Sequence, residues 1–147
     1  MKKILYTLLL SVLMSTPVFS SEVFKSLMTA KSLKCEYGSG AVGVWEGSKV
    51  KVEKDNFDAS VVFDSIDLAT GKARLIGEIG AVDVVVFATA TGLTFIEETG
   101  AGNLHITTVF ATYAKGTTDF IVVTSRHLMF LSEPLPSQYH GTCKIFE

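Results

Sequence analysis

Residues 73–98 read ARLIGEIGAVDVVVFATATGLTFIEE, three β-rich runs separated by short turns that contain glycine. Valine, isoleucine, phenylalanine and threonine favour extended strands, and glycine favours the tight turns between them. The turns around Gly80 and Gly92 are short, and a parallel pair of strands needs a crossover of about a dozen residues or more. This stretch therefore predicts antiparallel hairpins that follow one another as a meander.

The same alternation of short strands and turns continues on both sides of this stretch. We expect about nine or ten strands, a pattern typical of all-β sandwiches and barrels. Gly38-Ser39-Gly40 is predicted to be a turn, and Ser132 to Ser137, which contains Pro134 and Pro136, is predicted to be an extended loop. Ser21 to Ser32 has apolar residues at helical spacing and is predicted to be a short N-terminal helix.

Residues 1–20 have the three parts of a secretory signal peptide. Lys2 and Lys3 precede an apolar run from Ile4 to Met14, and the small residues Val18 and Ser20 suit cleavage after Ser20. The apolar run is shorter than the roughly 20 residues that span a membrane, although an uncleaved anchor or a buried N-terminal helix remains the alternative. We therefore expect export to a periplasm or to the cell exterior, with residues 21–147 as a single β domain.

The composition of that domain argues against several functional classes. Its net charge is −4, because residues 1–20 contain two lysines and no acidic residue. No basic run is present for nucleic acid or for an anionic membrane, and no later run is long enough to span a membrane. His105, His127 and His140 lack metal-ligand spacing, and the common catalytic motifs are missing. We expect no metal or cofactor, and a binding protein rather than an enzyme.

Cys35 and Cys143 are the two cysteines of the chain. In an exported protein they predict one disulfide, the alternatives being two buried thiols or a metal pair. They lie in the first and last predicted strands, and bridged cysteines need Cα atoms within about 7 Å. An antiparallel meander satisfies this requirement by closing into a small β-barrel. A β-sandwich with a Greek-key return is the alternative.

The candidate ligand-binding residues form a late polar cluster, Arg126, His127, Gln138 and Tyr139. Arginine offers a fork of donors for a carboxylate or phosphate, and histidine titrates near neutral pH. Neighbouring strand residues face opposite sides, so Arg126 and His127 share a cavity only if the strand ends or bulges between them. The apolar run that resumes at Leu128 favours a bulge. The alternative is a structural cluster that fixes the chain around the disulfide.

Two further segments carry weaker signals. Trp45 is a candidate ligand-site residue because tryptophan often lines the mouth of a barrel, and a place in the core is the alternative. In the run Asn103 to Phe110, one face carries His105, Thr107 and Val109. We interpret the threonines of this run mainly as strand formers.

Several of these segments together resemble a known group of proteins. The segments Gly102-Asn103, Thr107 to Phe110, Ser125 to His127, Ser137 to Tyr139 and Gly141 to Cys143 are similar to small exported bacterial proteins of unknown function, and this resemblance implies no activity. The predicted barrel resembles lipocalin- and avidin-like proteins in general shape, without a Gly-x-Trp motif near the mature start.

Three functional hypotheses follow from the sequence. The first is a binding module for a small apolar or amphipathic ligand or for a protein partner. The second is an interaction or inhibitor protein that acts through surface loops. The third is an enzyme that uses Arg126 and His127.

Overall fold

The computed structural model describes residues 21–146, so the predicted signal peptide lies outside the described residues. The described chain contains one helix and nine strands. Their bounds are α1 (Ser21–Thr29), β1 (Leu33–Glu46), β2 (Lys49–Asn56), β3 (Ser60–Asp67), β4 (Lys72–Gly77), β5 (Gly80–Ala88), β6 (Gly92–Glu98), β7 (Leu104–Tyr113), β8 (Phe120–Phe130) and β9 (Glu133–Ile145).

Eight antiparallel strands close into a barrel. From β3 to β9 each strand pairs with the next, and β1 pairs with both β3 and β9 to complete the ring. Closure leaves no exposed edge in the ring itself. β2 lies outside the ring and pairs with residues 39–46 of β1, so these two strands form a long hairpin that extends beyond the barrel. The prediction of an all-β barrel with a short N-terminal helix is confirmed.

The disulfide joins the two strands that close the barrel. Cys35 and Cys143 are direct cross-strand partners with Cα atoms 4.0 Å apart, and both side chains are buried. The predicted bond is therefore present, and it links the first strand of the ring to the last.

The helix α1 packs on the core at the end of the barrel where β1 begins. Leu27 is fully buried, and Ala30 is nearly so. The backbone just after the helix accepts hydrogen bonds from Ile66 on β3 and from Phe146 after β9. The apolar face of the helix thus covers one end of the barrel core, and the far end is left for a cavity.

The prediction of a turn at residues 38–40 is wrong. β1 continues through this segment, with an irregularity between Tyr37 and Gly40 in its pairing with β9. Glycine is needed here for close packing, because a Cβ on Gly40 would lie 2.2 Å from the carbonyl oxygen of Gln138. Gly40, interpreted from the sequence as part of a turn, in fact allows β1 and β9 to approach each other.

The prediction of an extended loop at residues 132–137 is also wrong. β8 and β9 form a continuous hairpin whose two-residue turn, Leu131-Ser132, has φ angles of 48° and 68°. Such a turn matches the twist of the two strands. Pro134 and Pro136 have no N–H group to donate. Their backbone nitrogens face the side of β9 where β1 lies, so no hydrogen bond between β8 and β9 is lost. The pairing between β1 and β9 ends accordingly at Ser137.

Candidate functional site

A cavity of about 370 Å³ opens at the end of the barrel that carries the β4–β5 turn. This volume falls within the range of roughly 300–1,000 Å³ that is usual for small-molecule sites. The cavity is lined by the β2–β3 connection, by the start of β3, by the β4–β5 turn and by inward-facing residues of β6, β7 and β8.

One wall of the cavity is apolar. Val61, Phe63 and Leu75 line it from β3 and β4, and Phe95 lines it from β6. Phe63 and Phe95 are almost fully buried and stack with their ring centroids 4.0 Å apart. Such a wall favours the apolar part of a ligand, because burial removes apolar surface from water.

A row of polar side chains, Glu97, His105, Arg126 and Ser137, which we call the polar row, runs across four strands; the first three line the cavity, and Ser137 is buried beside Arg126. These residues are direct cross-strand partners on β6, β7, β8 and β9. Cross-strand partners present their side chains on the same face of a sheet, so all four point to the inside of the barrel. His105 Nδ1 lies 2.7 Å from Glu97 Oε2, and each of the two side chains is 19% exposed.

Three neighbouring atoms of the polar row lack a partner. His105 Nε2, Arg126 Nε and Ser137 Oγ are buried and make no hydrogen bond within the part of the chain that the structure describes. A buried polar group without a partner costs about 1–3 kcal/mol. Three such groups therefore lie side by side on the adjacent strands β7, β8 and β9.

The next row toward the core is already satisfied. The Thr107 hydroxyl donates to Thr124 Oγ1 at 2.9 Å. Burial raises the pKa of the Tyr37 phenol well above its usual range, and a hydrogen bond with Thr107 opposes this rise only in part. The floor of the cavity is thus neutral, and the unsatisfied groups among the described residues that line the cavity belong to the polar row.

Aromatic rings hold the Arg126 guanidinium in place. Its central carbon lies 4.8 Å from the ring centroid of Phe57 and 5.9 Å from that of Tyr139. The Tyr139 hydroxyl donates to Asp55 Oδ2 at 2.5 Å, and this hydrogen bond lowers the pKa of the Asp55 carboxyl. Because Asp55 belongs to β2 and Tyr139 to β9, the same contact ties the outer hairpin to the barrel beside the cavity.

The structure separates the four residues of the late polar cluster. Arg126 lines the cavity, and Tyr139 faces the interior one row deeper. β8 and β9 pair without a register shift from Phe120 to Phe130, so the expected bulge after Arg126 is absent and His127 faces outward. Gln138 also faces outward, where its amide donates to Ser125 Oγ at 3.1 Å.

Trp45 lies outside the cavity. It is the cross-strand partner of Val50 on the β1–β2 hairpin and is 40% exposed. Its position in the alternation of β1 places it on the face opposite to Gly40, whose partner Tyr139 points inward.

The sequence did not single out several residues of the site. His105 and Thr107 were correctly placed on one face of a strand, but nothing in the sequence alone showed that this face lines a cavity. Glu97 and Ser137 became recognisable only through their registers with His105 and Arg126.

Comparison with protein-family models, with curated proteins and with solved structures finds no match to this chain. The resemblances to exported bacterial proteins and to lipocalin- and avidin-like barrels therefore stay predictions. Within residues 21–146, no group of three or more His, Cys, Asp or Glu side chains is arranged to hold a metal ion. In the same range no helix has the length and hydropathy to cross a membrane.

Proposed function

We propose that this protein binds a small amphipathic molecule, with an apolar body and a single carboxylate head, in the open end of the barrel. The observation that carries this proposal is the alignment of His105 Nε2, Arg126 Nε and Ser137 Oγ on three adjacent strands, all buried and without partners in the described chain. Of these residues, His105 and Arg126 line a cavity that also has an apolar wall. An apolar ligand alone would leave these groups unpaired. An oxygen-rich head would accept hydrogen bonds from Arg126 Nε–H and from the Ser137 hydroxyl.

The charges of the polar row favour an anionic head. Arginine is always charged and presents a fork of N–H donors to an anion. His105 and Arg126 are directly opposite each other on neighbouring strands. A carboxylate beside them would pair with the guanidinium of Arg126.

The rim of the cavity limits how much negative charge the head carries. Asp58 in the β2–β3 connection and Glu78 in the β4–β5 turn both line the cavity. Their carboxylates repel anions at the entrance, and this repulsion grows with the charge of the ligand. A singly charged carboxylate is therefore favoured over a phosphate.

The apolar body of the ligand would lie against Val61, Phe63 and Leu75. Each Å² of apolar surface that it buries contributes roughly 25 cal/mol. The disulfide supports a place of action outside the cytoplasm, because such bonds persist in oxidising compartments. The enzyme hypothesis receives no such support, since Arg126 and His127 face opposite sides of β8.

Calorimetric titration of the exported protein with decanoate and with decanol tests the proposal. A charge-assisted hydrogen bond contributes about 1.5–3 kcal/mol, so decanoate should bind roughly 10- to 100-fold more tightly than decanol. Arg126→Gln should abolish this preference. Arg74→Gln, at the one other arginine of the chain, should leave it unchanged because Arg74 lies on the outer face and is half exposed.

The two parts of the proposal fail in different ways. If neither compound binds, the cavity is not a site for small amphipathic ligands. If both bind equally, the cavity accepts apolar chains but the polar row does not select a carboxylate.

A further inference from the structure

The strand β2 has one unpaired edge. It pairs with β1 on one side and with no other strand of the described chain. All eight of its residues are exposed, and Val52 is 73% exposed. A free edge presents unpaired backbone donors and acceptors to any strand that can align with it.

The turn of the β1–β2 hairpin fixes which backbone groups lie on that edge. Gly47-Ser48 is a two-residue turn with a left-handed Gly47, so Glu46 and Lys49 form a hydrogen-bonded pair. Hydrogen-bonding direction alternates along a strand. The N–H and C=O groups of Val50, Val52 and Lys54 therefore point away from β1.

The sequence of β2 is complementary to itself in one antiparallel register. With Val52 opposite Val52 of a second copy, Lys51 faces Glu53 of that copy and Lys49 faces Asp55. Opposite charges at directly facing positions stabilise a strand pair, and like charges destabilise it. In this register each of these four charged residues meets an opposite charge.

Neighbouring registers place like charges opposite each other. A shift of one position in either direction sets Lys54 against Lys51 or against Lys49 of the second copy, and a shift of two positions sets Lys51 or Glu53 against itself. Edge lysines commonly protect strands from unspecific pairing. Here the same lysines would exclude the wrong registers and permit one.

We propose that β2 pairs antiparallel with β2 of a second copy of this chain, around a two-fold axis at Val52. In the isolated chain, Lys51 Nζ lies 2.9 Å from Glu53 Oε1 and 3.7 Å from Glu46 Oε1, and all three side chains are about half exposed. Pairing would exchange these exposed contacts for contacts across the interface. The resulting four-stranded ribbon would join two barrels outside their cavities.

Sedimentation equilibrium on the exported protein tests this proposal. The wild-type protein should dimerise reversibly, and Lys51→Glu and Glu53→Lys should each weaken the homodimer about tenfold or more, because each creates two pairs of like charges. An equimolar mixture of the two variants should restore dimerisation, since every facing pair is then opposite in charge. Lys34→Glu is the matched control. It reverses a charge in a surface ion pair on the barrel wall, where Lys34 Nζ lies 3.4 Å from Glu36 Oε1, and leaves β2 unchanged.

Several outcomes would overturn the proposal. A wild-type protein that stays monomeric at all accessible concentrations would do so. So would a dimer that both charge reversals leave intact, because its interface would then lie elsewhere. Failure of the mixed variants to pair would reject the register, and a strand of another protein captured by the same edge would replace the second copy as the partner. Circular dichroism of each variant confirms that the barrel is intact.

Discussion

Replacement of Arg126 by methionine separates a binding role from a structural role. Methionine is similar in length but has neither charge nor donors. The change removes the contacts of the guanidinium with the Phe57 and Tyr139 rings, which are worth roughly 0.5–1 kcal/mol each. It also removes the buried Nε that has no partner in the described chain, and such a group costs about 1–3 kcal/mol.

These two effects oppose each other. The free energy of unfolding of Arg126→Met should therefore lie within about 1 kcal/mol of the wild-type value. Urea denaturation followed by tryptophan fluorescence measures this difference, and calorimetry on the same samples measures the loss of decanoate binding. Arg74→Met is the control, because Arg74 lies on the outer face, is half exposed, and makes only a long contact of 3.7 Å between its Nε and Asp64 Oδ1.

A large loss of stability would refute this reasoning. Breaking a buried ion pair costs about 3–5 kcal/mol. If Arg126→Met destabilises the barrel by that amount, Arg126 is a structural residue with a satisfied partner, and the polar row is not held open for a ligand.

Three other predictions concern stability. Cys35→Ser should lower the free energy of unfolding by about 2–5 kcal/mol, because the bond closes a loop with a separation of 108 residues; two titratable thiols in the native exported protein would contradict it. Phe95→Ala should cost about 3–5 kcal/mol, whereas the matched change at the 43% exposed Phe87 should cost far less, and equal losses would reject the assigned core. Burial raises the pKa of Tyr37 above its ordinary value of 10.0, so the folded state keeps a proton that the unfolded chain loses and stability should fall as the pH rises above about 10. Tyr37→Phe should flatten that decline in alkaline urea titrations, and an unchanged slope would count against it.

The barrel was predictable because its signals are local or covalent. Short turns such as the one that ends at Gly92 dictate antiparallel neighbours, here β5 and β6, and the cysteines at both ends of the meander require the first and last strands to meet. The details that failed depend on neighbours distant in sequence. Glycine is required at position 40 because the backbone of Gln138 lies against it. Pro136 is tolerated because its backbone nitrogen faces the side of β9 where β1 lies, away from β8.

The site was predictable only in part for a similar reason. Arg126 was identified because a long cation at the end of an apolar run needs an explanation. The bulge that would have brought His127 to the same side is absent, so His127 was predicted wrongly as a site residue. His105 and Glu97 form a pair only through the register of β6 with β7, and the seven residues between them leave that register undetermined in the sequence. The unsatisfied atoms become visible only when every partner in space is known.

The most direct test of the binding site is the Nε–H region of a ¹⁵N correlation spectrum. The chain has two arginines, Arg74 and Arg126, so this region contains two side-chain signals. Addition of decanoate should shift the Arg126 signal downfield as its Nε–H gains an anionic acceptor, and the Arg74 signal should stay in place. If decanoate binds and the Arg126 signal does not move, or if both signals move alike, the polar row is not where the head of the ligand lies.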